Sequence, residues 1–104
     1  MTNFDDEVEQ VFQSIENALD ALDLSIESLR QGPVLELEFD DDSKIVVNSQ
    51  ATMQEIWVAG KAGGFHFKNK NGLWLDTRSG EELFATLSRL ASLQSGQALI
   101  LKPQ

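Results

Sequence analysis

The stretch IWVAGKAGGFHF, residues 56–67, sets two alternating apolar segments on either side of Lys61-Ala62-Gly63-Gly64. Successive side chains of a strand point to opposite faces, so if Ile56, Val58, Phe65 and Phe67 enter a core, Trp57 and His66 lie side by side on the other face. The Lys-Ala-Gly-Gly segment reads as the turn between two strands. An exposed Trp beside an exposed His either fills a partner's pocket or is covered by another part of the chain.

Working outward, VLELEF (34–39) alternates strictly after Gly32-Pro33, and KIVVN (44–48) follows it across the acidic turn Asp40-Asp41-Asp42-Ser43, a hairpin pattern. LWLD (73–76) follows Asn71-Gly72 and makes another short strand; Ile26 to Leu29 is a further strand candidate whose pattern Ser28 and Arg30 interrupt. Upstream, Phe4, Val8, Val11, Phe12, Ile15, Leu19 and Leu22 recur at three- and four-residue spacing with no Pro or Gly, which predicts a helix over 4–24. Downstream, Leu83, Leu87 and Leu90 restore the helical period, Ser79 with Glu82 matches a capping box at its start, and Ser95-Gly96 ends it. The apolar tail ALILKP (98–103) is expected to tuck between helices and sheet. The order helix, run of strands, helix implies an α+β fold: a two-layer αβ sandwich, with two terminal helices packed on one face of an antiparallel β-sheet. The other face then meets water and carries Trp57 and His66. By alternation with Leu73 and Leu75, Trp74 is expected there too, and Asn48 likewise.

Composition bounds the function. At 104 residues, 41% hydrophobic and 24% charged, the chain fits one domain over 1–104. No apolar run approaches the roughly 20 residues of a membrane span, and the acidic N-terminus is unlike a targeting peptide, so a cytoplasmic location without membrane partners is expected. The absence of Cys excludes disulfides, thiolate metal sites and a Cys nucleophile. The net charge of -9 is distributed unevenly: residues 1–43 hold 13 Asp and Glu against Arg30 alone, and residues 44–104 hold 4 against 7 Lys and Arg. Such a field repels nucleic acid and attracts cations or a basic protein surface.

The sequence holds no evident catalytic constellation. His66 is the only His, no Ser sits in a nucleophile elbow, and Gly60, Gly63 and Gly64 precede a strand rather than a phosphate-binding helix, so no enzyme is expected. At about 100° per residue, Asp5, Glu9, Glu16, Asp20 and Asp23 fall in a band about 60° wide beside the apolar arc of the first helix. Oxygen-only ligands of this kind suit Fe²⁺, Fe³⁺, Mn²⁺ or Ca²⁺, bound weakly with waters retained. The competing reading is a solvated helix face, against which stands the cost of like charges at Glu16/Asp20 and Asp20/Asp23.

SKIVVNSQ, QEIWVAGKAGGFHF and LWLDTRSGEELF, with SIENALDALDL in the first helix, together resemble the bacterial members of the frataxin family. The resemblance implies the same αβ sandwich and a role as an iron-binding regulator of iron-sulfur cluster assembly, in which the protein binds the cysteine desulfurase and its iron-sulfur scaffold protein and modulates sulfur transfer. It implies weak iron (Fe²⁺/Fe³⁺) binding by Glu9, Glu16, Asp20, Asp23 and Asp40. It also implies partner contact by Asn48, Gln50 and Trp57, with His66 and Trp74 nearby. The state stays open between a monomer and iron-dependent oligomers. Departures from the family pattern thin the acidic ridge: LSIESLRQGP carries Glu27 as its only acid and Arg30 within it, and Asn17 and Ala21 stand where acids are common. The rival readings are an iron-storage or iron-delivery protein relying on surface carboxylates, and an Fe²⁺-oxidising enzyme, for which these scattered acids make no evident centre.

Overall fold

The computed structural model describes residues 3–22 and 24–104. Its elements run α1 (Phe4–Leu22), β1 (Glu27–Gln31), β2 (Val34–Glu38), β3 (Lys44–Gln50), β4 (Glu55–Gly60), β5 (Gly63–Lys70), β6 (Leu73–Asp76) and α2 (Leu83–Ser95). Each strand pairs antiparallel with the one before it, giving a six-stranded meander in the order β1-β2-β3-β4-β5-β6. The interrupted segment before Gly32 is thus a full edge strand, Glu27–Gln31. Among the described residues no helix is long and apolar enough to cross a membrane.

Both helices cover one face, the expected two-layer α+β sandwich. Ile15, Phe12, Leu83, Leu87 and Leu90 from the helices meet Leu35, Leu37, Ile45, Val47, Ile56, Val58 and Phe67 from alternate strand positions in a single core. Asn3 caps α1: its Oδ1 accepts from Asp6 N at 2.8 Å. The tail adds Leu99 and Leu101 to the core, and the Ser92 and Ser88 hydroxyls on α2 accept from their backbone N–H groups at 2.9 and 2.8 Å. It then reaches α1, where Gln104 N donates to Ser14 Oγ at 2.6 Å.

Three expectations need correction. First, the Ser79/Glu82 capping box does not form. Glu82 is itself the N-cap of α2, its carboxylate accepting from Phe84 N and Ala85 N, while the Ser79 hydroxyl donates to Asp76 Oδ2 in the preceding turn. Second, Gly63-Gly64 do not make the β4–β5 turn. Gly60 pairs with Gly63, so Lys61-Ala62 turn the chain and both glycines belong to β5.

Third, Trp74 is not on the open face. The Asn71-Gly72 turn, with both φ angles positive (56° and 92°), sets a two-residue hairpin that pairs Asn69 with Trp74 and Phe67 with Asp76. Phe67 points to the helices, so Asn69 and Trp74 do as well. Trp74 is 7% exposed and meets Phe4 edge to face at 6.2 Å. Alternation within β6 holds, but Leu73 and Leu75 take the outer positions.

Candidate functional site

The face away from the helices carries a ladder whose rows follow from register: Asn48–Trp57–His66 in one, Gln50–Glu55–Lys68 in the next, Val46–Ala59–Gly64 on the other side. The Trp57 and His66 rings stack nearly parallel, 8° apart with centroids 4.2 Å apart. Cross-strand aromatic pairs of this kind are the ordinary unit of sheet stabilisation. Trp57 Nε1 donates to Glu55 Oε1 at 2.8 Å. Glu55 is only 5% exposed, and His66 Nδ1 and Lys68 Nζ stand 3.8 and 3.9 Å from its oxygens. A carboxylate that is desolvated yet accepts a good hydrogen bond fixes the indole in one orientation. Beside the stack, Ala59 and Gly64 leave a shallow depression lined also by Val46, Asn48 and Phe65. Asn48 is half-buried there, and Gln50 is half-buried on the far side of the Trp57 row.

Of the residues expected to meet a partner, then, Asn48, Gln50, Trp57 and His66 share one face, and Trp74 belongs to the opposite layer. Sequence reasoning passed over Glu55. Its signal is local, since residues two apart on a strand share a face and Glu55 precedes Trp57 by two.

The expected metal ligands are not gathered. Arg30, on the helix-facing side of β1, donates from Nη1 to both Glu9 oxygens at 2.6 and 2.7 Å and from Nη2 to Glu16 Oε1 at 2.8 Å. Its guanidinium also lies 5.5 Å over the Phe12 ring. The hydrogen bond from Arg30 holds the Glu9 carboxyl below its usual range, and the same bond raises Arg30. Asp40 lies at the β2–β3 turn, in a notch with Leu24, Ser25 and Ile26. Its neighbour Asp41 is engaged by Ser43 and by Lys61 Nζ at 2.9 Å, and these hydrogen bonds hold its carboxyl far below the usual range. Among the described residues no three Asp, Glu or His side chains are placed to hold one ion. Asp23 lies outside the described residues.

Asp20 is exposed in the last turn of α1, where the negative end of the helix dipole and Glu16 four residues earlier both oppose its charge. Asp20→Lys is expected to raise the melting temperature by about 2–5 °C at low salt and less at high salt. Glu16→Lys is expected to lower it, because the new cation would face Arg30. Thermal melts of the two variants at low and high ionic strength check both signs.

Residues 1–97 match the model of the frataxin-like domain. The iron-sulfur cluster assembly protein CyaY of Cupriavidus metallidurans is 57% identical over 95 residues, 91% of this chain and 86% of that protein. The protein of the same name from Ralstonia nicotianae is 56% identical over 91 residues, 88% of this chain and 80% of the other. Among solved structures, the frataxin of Psychromonas ingrahamii aligns with a TM-score of 0.87 at 28% identity, covering 97% of this chain and 99% of that one.

Proposed function

This chain belongs to the frataxin-like family, and from that premise we propose that it serves iron-sulfur cluster assembly in the cytoplasm as a non-catalytic regulator. It binds the cysteine desulfurase together with the scaffold protein and modulates sulfur transfer. The observation that carries this reading is the Glu55–Trp57–His66 arrangement: a Trp held rigid by a buried carboxylate, at the centre of a sheet face that neither helix nor tail covers. Large, pre-oriented aromatic side chains on an uncovered surface are the usual anchors of protein interfaces. The names of the relatives, both iron-sulfur cluster assembly proteins, point the same way.

The acidic flank supplies attraction rather than a metal cage. With Glu9 and Glu16 engaged by Arg30, the carboxylates left to draw in Fe²⁺ or a basic partner surface include Asp20 and Asp40, both exposed. Iron is then a weakly attracted cargo that adjusts the contact. The alternative is an iron-storage or iron-delivery protein, in which the sheet is passive.

A pull-down with purified cysteine desulfurase and scaffold, with and without Fe²⁺, separates the two. Capture in both conditions is expected. No capture by a chain that loads iron stoichiometrically would leave storage or delivery as the function.

A further inference from the structure

We infer that Arg30 is a built-in replacement for a metal ion on α1: its guanidinium fills the space between Glu9 and Glu16, closes that pair to divalent cations, and makes the junction of edge strand β1 with α1 independent of metal. The inference stands apart from partner docking, because these residues lie on the helix side of the sheet edge.

The first support is geometric. Arg30 spends both terminal nitrogens on two carboxylates two helical turns apart, with three contacts of 2.6 to 2.8 Å. The forked, planar guanidinium suits such bridging, and a carboxylate so occupied has fewer lone pairs to offer an ion. Arg30 is also anchored from below. It pairs with Leu35 in the sheet, lies over Phe12, and leaves only 25% of its side chain exposed, much as Glu16 leaves 24%.

The second support is competitive. An Arg does not lose its proton in the physiological range, so no change of pH vacates the site. Tethered by the strand, its effective concentration at Glu9 and Glu16 is on the order of millimolar or more, whereas surface oxygen sites hold divalent ions weakly. A metal would have to displace a resident cation and leave its guanidinium half-buried without partners. Nor do the remaining acids compensate, because among the described residues no group of three converges.

Arg30 is also the single base of residues 1–43. Its position therefore decides how the acidic field is distributed: one of the two charges of middle α1 is offset, and the rest of the unbalanced charge lies at Asp5, Asp6 and Asp20 and at the hairpin end near Asp40 and Asp42. Across β1 and β2 at that same end, Glu27 directly opposes Glu38.

Amide NMR with Mn²⁺ as the probe tests this on the full chain, its Arg30→Gln variant and its Arg30→Lys variant. In the native protein, broadening at Glu9 and Glu16 should be no greater than at Glu81, which Arg89 engages in a similar way at 2.8 Å. In Arg30→Gln the same residues should broaden at Mn²⁺ concentrations about tenfold lower, since removing one adjacent charge is worth at least that factor. Its melting temperature should fall and partly recover with Mn²⁺. Arg30→Lys keeps a cation and should stay closed to Mn²⁺. Selective broadening of Glu9 and Glu16 in the native protein overturns the inference. An Arg30→Gln titration indistinguishable from the native one does so as well.

Discussion

Trp74→Ala is expected to cost about 3–5 kcal/mol of folding stability, the range for emptying a core Trp site. The side chain is 7% exposed in the helix-facing layer, and Phe4 meets its ring edge to face at 64°. Truncation would leave a cavity beneath the first turn of α1. Against a total of roughly 5–15 kcal/mol for a domain of this kind, the loss is large. Urea unfolding at constant slope measures it. A loss under about 1 kcal/mol would return Trp74 to the exposed face. Once corrected for any unfolded fraction, the variant should bind its partners normally.

Trp57→Ala is expected to show the opposite pattern. The indole is half-buried and its removal opens Glu55 to water, so the cost to folding should stay near 1–2 kcal/mol, about one hydrogen bond and one cross-strand contact. Binding to the desulfurase and scaffold should weaken by about 2 kcal/mol or more, roughly 30-fold in Kd. The loss should appear in the dissociation rate and resist salt. Charge reversal at Asp20 or Asp40 should instead slow association and fade as ionic strength rises. Trp57→Phe keeps a ring over His66 and loses the bond to Glu55, so it divides anchoring from orientation. Partner binding unchanged in Trp57→Ala would remove the open sheet face as the interface.

Much of the fold follows from local chemistry. Apolar spacing of 3.6 marks both helices, strict alternation marks β2, and turn residues at Gly32-Pro33, at the Asp40–Ser43 segment and at Asn71-Gly72 divide the strands. The Gly96 stop of α2 is equally plain, with φ of 75° and its N–H donating to Ser92 O. The inward face of Trp74 follows from the turn length: a two-residue Asn-Gly turn makes Asn69 its partner, and Asn69 shares the face of Phe67. The cap of α2 does not follow from the local pattern. Ser79-x-x-Glu82 satisfies the pattern, but Asp76, which also accepts from Arg78 N, takes the Ser79 hydroxyl first.

The sequence by itself determined the element order, the sandwich and the pairing of Trp57 with His66, because each depends on spacing along one segment or across a short turn. Tertiary structure alone decided what the acids of α1 do. Glu9 and Glu16 lie 21 and 14 residues before Arg30, and nothing in the intervening pattern says that β1 will run beneath that flank of the helix. A band of carboxylates on a helix reads as a metal site or a solvated stripe while the helix is considered alone. Packed against an edge strand that carries one Arg, it becomes an ion-paired seam, since the nearest cation in space, not in sequence, decides what a carboxylate binds.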